Sequence, residues 1–220
     1  MRHLLLALLL LALASGAAHT RTLELTNRNA ELIGKVDTRL ARATAKRLME
    51  LDAISDDPIF LHVDSLGGSV EAGFILIDTI KAIRSPVHAL VESKAYSMAA
   101  IITLFCDKRF MLPNATLMFH EASYGTRGEE PSIRSRVEFN TRFLDRMHRK
   151  IAEHIDMDGK KYRDLIRDGW WLLAEDALSV GIIDEIVTSL SYTESPTERV
   201  EIRRTVTITR KRHIDPDSAD

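Results

Sequence analysis

The feature that most constrains the fold of this chain is a regular alternation of short apolar runs with amphipathic segments. The short runs, each predicted to form a buried strand, are 59–64, 87–92, 108–112 and 116–120. The segments whose apolar residues recur at helical spacing are 38–54, 69–83 and 133–155. Strands that alternate with helices in this way predict right-handed crossovers and a largely parallel sheet with flanking helices.

The N-terminal stretch "MRHLLLALLLLALASGAAHT" has the order of a secretory signal peptide. The basic Arg2 precedes an apolar run over 4–14, and small residues follow. We predict that residues 1–18 are removed, with cleavage after Ala14 or Ala18. The run is shorter than the roughly 20 residues that span a bilayer, so no stable membrane anchor is expected. The mature protein is predicted to be exported, either to the periplasm or outside the cell.

Composition excludes several classes of function. The formal net charge of −2 gives no general case for binding nucleic acid. Cys106 is the only cysteine, so the chain forms no internal disulfide. The histidines lack the spacing of HExxH or of other metal motifs, and we expect neither a metal nor a cofactor. After a domain over 22–190, the tail 191–220 is basic and includes a stretch that alternates like an edge strand.

Reactive residue types follow several of the predicted strands, where an α/β sheet collects its functional groups. Gly67–Gly68 form a predicted turn after the first strand, Ser97 follows the second, and His120 ends the last. Asp164 and Asp168 come after the long helix. A serine hydroxyl becomes a nucleophile when a base accepts its proton, and histidine is suited to that role near neutral pH.

Each of these residues also has a structural interpretation. A serine that begins a helix is most often an N-cap, and a glycine pair between a strand and a helix most often serves turn geometry. A histidine at a strand end is commonly a hydrogen-bonded structural residue. The residues alone therefore leave two hypotheses open for Ser97, a helix cap and a catalytic nucleophile.

Four stretches in a fixed order resemble a known family. The stretches are "DSLGGSVEAGFILIDTI", "SKAYSMAA", "KRFMLPNATLMFHEA" and "RDLIRDGWWLLAEDALSVGIIDEIV". They resemble the proteolytic subunit of the Clp protease, a serine peptidase, over about residues 30–187. The resemblance implies an α/β, ClpP/crotonase-like spiral of β-β-α units with a largely parallel sheet and flanking helices.

The resemblance also implies a catalytic site. The matching residues are Ser97 as nucleophile, His120 as base, Gly68 and Met98 as donors to the oxyanion, and Asp164 as the acid that orients the histidine. The stretch from Asp168 to Ala174 is one residue longer than the family pattern, so an ungapped match from the C-terminal side would put Leu165 at the acid position. Asp164 is the first choice for the acid and Asp168 the second.

The chain departs from the family pattern close to the nucleophile. Leu66 replaces a proline, and Ser93–Lys94 replace a Gly-Gln pair. Lys94 raises a rival mechanism, since fold relatives that process signal peptides use a Ser–Lys pair, and a lysine with a depressed pKa can act as a base.

The function implied by the resemblance is that of a serine endopeptidase acting on peptides or unfolded proteins through an acyl-enzyme. A homo-oligomer, in the family a ring, is expected. The family's AAA+ ATPase partner works in the cytosol, so export argues against that partner here. The other hypotheses are an inert peptide-binding or assembly module and a crotonase-type enzyme for acyl thioesters.

Overall fold

The structure is a computed structural model that describes residues 21–193. The predicted signal peptide, residues 1–18, and the basic tail beyond Thr193 lie outside the described residues. Those two expectations therefore stay predictions.

Strands and helices alternate along the described chain. The strands are β1 Thr22–Leu25, β2 Asn29–Val36, β3 Ile59–Gly68, β4 Val87–Tyr96, β5 Lys108–Met111, β6 Thr116–Phe119, β7 Trp170–Leu173, β8 Glu185–Ile186 and β9 Ser189–Tyr192. The helices are α1 Thr38–Asp52, α2 Val70–Ala82, α3 Met98–Leu104, α4 Glu130–His154, α5 Gly159–Ile166 and α6 Ala174–Ser179. No helix in this part of the chain is both long enough and apolar enough to cross a membrane.

The main sheet has the order β2-β3-β4-β5-β8, and all of these neighbours are parallel. Strand β6 also pairs with β4 in parallel, whereas β7 pairs with β6 antiparallel. Strands β1 and β9 form a separate parallel pair. The predicted α/β fold with a largely parallel sheet is confirmed.

Two strands are longer than the apolar runs that predict them. Strand β3 continues through Gly67–Gly68, which pair with Lys35–Val36 of β2, so the predicted turn at the glycines is wrong. Strand β4 runs on to Tyr96 because its second half pairs with β6 after its first half has paired with β5. Neither extension is an apolar run, so hydrophobicity alone predicts strands that end before these residues.

Local sequence fixes where the helices begin. The Asp37 carboxylate accepts a hydrogen bond of 2.8 Å from the backbone N–H of Leu40 at the start of α1. The Ser69 hydroxyl accepts one of 3.2 Å from the N–H of Ala72 at the start of α2. Ser97, which precedes α3, makes no such side-chain cap.

The sheet buries its two faces unequally. The large core packs helices α1, α2 and α3 against one face, around residues such as Leu61, Val63 and Ile102. On the other face a smaller cluster includes Phe60, Leu90 and Phe110. Beyond that cluster the same face becomes polar toward the carboxyl end of β3 and β4, where the candidate site lies.

Candidate active site

Ser97 lies between β4 and α3 with a backbone conformation that serine rarely adopts. Its φ is 54° and its ψ is −123°. A positive φ in a non-glycine residue costs energy, and such strain is concentrated at functional sites. The backbone N–H of Ser97 donates to the carbonyl of Met118 in β6 at 2.7 Å, which holds the turn against that strand.

The hydroxyl of Ser97 contacts His120. Oγ lies 2.7 Å from His120 Nε2, a hydrogen-bond distance. The strand register produces this contact. Tyr96 of β4 pairs with Met118 of β6, so Ser97 and His120, which follow the ends of these two strands, lie next to each other. The predicted nucleophile and base, separated by 23 residues in sequence, are therefore in contact.

Gly67 and Gly68 approach other backbone segments too closely for any side chain. A Cβ atom on Gly67, whose φ is +83°, would lie 2.4 Å from the Tyr96 carbonyl oxygen and 2.9 Å from the Met98 nitrogen. A Cβ atom on Gly68 would lie 2.2 Å from the Val36 carbonyl oxygen. Glycine is needed at both positions because backbone, rather than flexible side chain, occupies the space.

The two predicted oxyanion donors, the backbone N–H groups of Gly68 and Met98, flank the close approach of Gly67 to the Ser97 turn. Met98 is the first residue of α3, so its N–H has no partner within the helix, and the Gly67–Gly68 segment passes directly beside it. The Met98 side chain is buried and lies over Gly73 of α2, where an added Cβ would lie 2.2 Å from its Cε. This packing fixes the start of α3 relative to α2.

The structure does not bring the predicted acid, Asp164, to the histidine. Its carboxylate lies 2.8 Å from Lys160 Nζ and 3.4 Å from Arg167 Nη1, on the exposed side of α5. Lys160, through its hydrogen bond and its charge, lowers the pKa of Asp164. Asp168 follows α5 and lines, together with His120, a cleft of about 330 Å³. Its side chain is 90% exposed and lies 3.8 Å from Arg167 Nε. No hydrogen bond joins either aspartate to His120 within residues 21–193.

The side chain of Lys94 contacts Asp64. Its Nζ lies 2.6 Å from Asp64 Oδ1 in a partly exposed ion pair. The hydrogen-bond partner of Ser97 is His120, which argues against a Ser–Lys pair.

An open cleft of about 640 Å³ runs beside the Ser97–His120 pair. Its walls come from the ends of β2, β3, β4 and β6 and include Ile33, Leu66 and Met118. Sequence reasoning did not include Lys35 and Asp64, which also line it. Their position could have been inferred only from strand register, because Lys35 pairs with Gly67 and Asp64 lies three residues before it.

A second network missed by sequence reasoning supports the segment that follows His120. Arg163 of α5 lies 3.3 Å from Glu121 and also forms an ion pair with Asp145 of α4. Glu121 directly follows His120, so Arg163 ties the histidine segment to α4 and α5. Among residues 21–193 no cluster of His, Cys, Asp and Glu side chains is arranged to hold a metal ion.

Comparisons with known proteins identify the family of this chain. The Clp protease family model matches residues 16–190. The ATP-dependent Clp protease proteolytic subunit 2 of Pseudomonas aeruginosa is 32% identical over 158 residues, which cover 71% of this chain and 79% of the relative. The ATP-dependent Clp protease proteolytic subunit of Streptococcus pyogenes is 34% identical over 162 residues, or 71% of this chain and 82% of that one.

A solved structure extends the likeness to three dimensions. A ClpP1 mutant from Listeria monocytogenes superposes with a TM-score of 0.68 and 30% sequence identity, covering 74% of this chain and 92% of the other. The family match, the identities and the shared fold lead to one conclusion: this chain belongs to the Clp protease family and is a ClpP-like peptidase.

Proposed function

We propose that the protein is an active serine endopeptidase that hydrolyses peptide bonds with Ser97 as nucleophile and His120 as general base. The observation that carries this proposal is the 2.7 Å distance between Ser97 Oγ and His120 Nε2. Ser97 precedes a helix yet makes no capping hydrogen bond, so its hydroxyl serves the histidine rather than the helix. Its strained backbone supports a functional role over a structural one.

The reaction follows from the positions of these groups. In the neutral tautomer with a free Nε2, the histidine accepts the Ser97 proton while Oγ attacks the carbonyl carbon of the peptide bond. The negative oxygen of the tetrahedral intermediate accepts hydrogen bonds from the N–H groups of Gly68 and Met98. His120 then donates the proton to the leaving amine, and water, activated by the same histidine, hydrolyses the acyl-enzyme.

For the acid that orients His120 we propose Asp168 rather than Asp164. Asp164 is engaged by Lys160 and Arg167, and freeing it would break both contacts. Asp168 shares the smaller cleft with His120 and has only a 3.8 Å contact to Arg167. Gly169, with a φ of +92°, follows it and leaves the local chain able to turn the carboxylate toward the ring. Catalytic hydrogen bonds are often completed only when substrate is bound.

Substrate, assembly and location are further parts of the proposal. An extended peptide would lie in the 640 Å³ cleft, beside the Gly67–Gly68 edge of β3. The relatives are named as proteolytic subunits of an ATP-dependent protease, which favours a homo-oligomer for this chain as well. The signal-peptide pattern of residues 1–18 favours export, and hence peptidase activity without a cytosolic AAA+ ATPase.

The decisive experiment is active-site labelling with a fluorophosphonate probe, which reacts with activated serines. The intact chain should be labelled at Ser97 and should cleave an unfolded protein substrate such as casein. Ser97→Ala and His120→Ala should lose both activities by orders of magnitude, while their melting temperatures stay close to that of the wild type. Ser69→Ala, which alters a serine that caps a helix, is the matched control and should retain labelling.

The same experiment separates the alternatives. A folded wild-type chain that takes up no label would indicate an inert binding or assembly module. Labelling that survives His120→Ala but is lost in Lys94→Gln would indicate a Ser–Lys mechanism. Turnover of an acyl thioester that persists in Ser97→Ala would indicate a crotonase-type enzyme, since such enzymes rely on an oxyanion hole without a Ser–His pair.

A further inference from the structure

We propose that the cleft beside Ser97 selects peptides that carry an acidic side chain near the bond to be cleaved, and that Lys35 and Lys94 recognise its carboxylate. This inference rests on the proposed function in one respect, namely that peptides bind in this cleft. It adds the chemical class of the substrate, which the family membership does not specify.

Three charged side chains line the cleft together with the catalytic pair. They are Lys35 of β2, Asp64 of β3 and Lys94 of β4. Lys35 is exposed and lies opposite Gly67, the residue whose backbone passes beside Ser97. Lys94 lies three residues before Ser97 on the chain. We therefore expect side chains next to a peptide carbonyl at Ser97 to approach both ammonium groups.

The ion pair between Lys94 and Asp64 holds the lysine in one position but leaves it partly exposed to solvent. Lys94 Nζ lies 2.6 Å from Asp64 Oδ1, and the two side chains are 32% and 34% exposed. An ammonium group has three donors, and Asp64 accepts from one of them. Asp64 thus fixes the position of Lys94 and leaves donors for a second carboxylate.

The charge of the cleft favours an anion over a cation. Asp64 balances one lysine, and among residues 21–193 no ion pair involves Lys35. The lining therefore carries a net positive charge, even with His120 neutral. A basic side chain entering the cleft would meet Lys35 without compensation, whereas a carboxylate would meet two ammonium groups.

Other carboxylates on this sheet face do not cancel that charge. Glu92, two residues before Lys94, lies 2.7 Å from His62 Nδ1 and is directed toward that ring. Glu31, on the same strand as Lys35, lines a separate depression with Arg47. The apolar walls provided by Ile33, Leu66 and Met118 suit the methylene groups of a glutamate, so we expect glutamate to be preferred over aspartate.

The test measures binding without turnover. The full chain carrying Ser97→Ala is titrated against fluorescein-labelled peptides that are identical except for one residue, which is Glu, Gln or Lys at each position in turn. Fluorescence anisotropy gives the dissociation constants. We expect the Glu peptide to bind about fivefold more tightly than the Gln peptide for at least one position, with the Lys peptide weakest. The ratio of the Glu-peptide affinity to the Gln-peptide affinity, called the Glu-to-Gln ratio, should fall toward one as the salt concentration rises.

Substitutions of the lysines and of the aspartate in the cleft should change the Glu-to-Gln ratio in opposite directions. Lys35→Gln and Lys94→Gln should each reduce the Glu-to-Gln ratio, whereas Asp64→Asn should increase it by leaving Lys94 free for the ligand. Lys46→Gln, the same substitution on the exposed surface of α1, should leave the ratio unchanged. Because Lys35 is exposed, its variant tests the proposal even where a change to the partly buried pair reduces folding.

The outcomes distinguish this inference from the proposed function. A Glu-to-Gln ratio near one at every position, a ratio that Lys35→Gln leaves intact, or no binding of any peptide would overturn the inference. The wild-type chain is assayed in parallel for hydrolysis of the same peptides. Glu-selective binding without hydrolysis would contradict the proposed enzyme and support the recognition site. Hydrolysis without selectivity would support the proposed enzyme and contradict the recognition site.

Discussion

Gly67 lies directly against the backbone that carries Ser97. An added Cβ would lie 2.9 Å from the Ser97 Cβ and 2.4 Å from the carbonyl oxygen of Tyr96. The turn at Ser97, the proposed nucleophile, and strand β3, which carries the proposed oxyanion donor Gly68, therefore pack backbone to backbone. This contact makes the geometry of the site dependent on a residue that has no side chain.

Gly67→Ala should therefore damage both folding and activity. The new methyl group must push apart two backbone segments and also adopt a φ of +83°. We expect the free energy of unfolding to fall by roughly 3 kcal/mol, and fluorophosphonate labelling of the remaining folded protein to slow by more than about tenfold. Urea denaturation and labelling kinetics provide the measurements. Gly125→Ala, at a position with no neighbour within 4 Å, is the control and should change neither quantity.

The strained backbone of Ser97 predicts a difference between two inactive variants. Ser97→Gly and Ser97→Ala both remove the nucleophile, but only glycine adopts a φ of 54° without strain. The glycine variant should be more stable than the alanine variant by about 1 kcal/mol. Equal unfolding midpoints, measured in urea with equal slopes, would mean that Ser97 carries no strain.

The two aspartates should differ in their effect on turnover. Asp168→Asn should lower kcat by orders of magnitude, because an amide would favour the wrong tautomer of His120. Asp164→Asn should leave kcat within about threefold of the wild type, since it removes only exposed contacts to Lys160 and Arg167. Peptidase assays over a range of substrate concentrations give both values. The opposite ranking would restore Asp164, the residue that the sequence match selects.

His148 should make the fold sensitive to acid. It is buried beside Tyr162, its Nδ1 has no hydrogen-bond partner within the described residues, and burial, with help from Arg163, lowers its pKa to about 4. The unfolded chain, in which the histidine titrates near its usual value of about 6.5, then binds more protons. Protons therefore favour the unfolded state, so the stability present above about pH 6.5 is lost as the pH falls toward 4.

The size of this effect can be measured by substitution. Between about pH 7.5 and about pH 5, His148 should account for a loss of roughly 2 kcal/mol in the free energy of unfolding. His148→Leu should reduce the difference between the two pH values by that amount. His88 and His154, whose pKa values burial also lowers, should keep a smaller acid sensitivity in the same direction. An unchanged pH dependence in His148→Leu would contradict the assignment.

Arg28 should contribute to stability without taking part in catalysis. Arg28 is 5% exposed, and its guanidinium donates to the carbonyls of Leu51, Ser55 and Asp57, each at 2.9 Å. Arg28→Ala would remove these three hydrogen bonds at the end of α1 and should cost roughly 3 kcal/mol of unfolding free energy. The control is Arg39→Ala, which removes an exposed arginine of α1 and should cost less than about 0.5 kcal/mol. Labelling of Ser97 in the folded fraction should be unchanged.

The sequence by itself determined the class of fold and the residues to consider. Periodicity located α1, α2 and α4 within a few residues, and the alternation of strands with helices indicated the parallel sheet. These features are local, because helical spacing and apolar runs are set by residues close together in the chain. Motif order then selected Ser97 and His120 from many serines and histidines.

Only the tertiary structure decided which of these residues meet. Ser97 and His120 come together because β4 changes partner from β5 to β6 along its length, and no local pattern encodes a strand register. The candidate acids differ in the same way: the sequence match selects Asp164, which pairs with Lys160 one turn earlier in α5, whereas Asp168, beyond the end of that helix, lines the cleft with His120. The partner of Lys94 was likewise not visible in the sequence: it is Asp64, 30 residues away. Sequence specifies the reactive groups, whereas contacts between distant segments decide their charge partners and hence their chemistry.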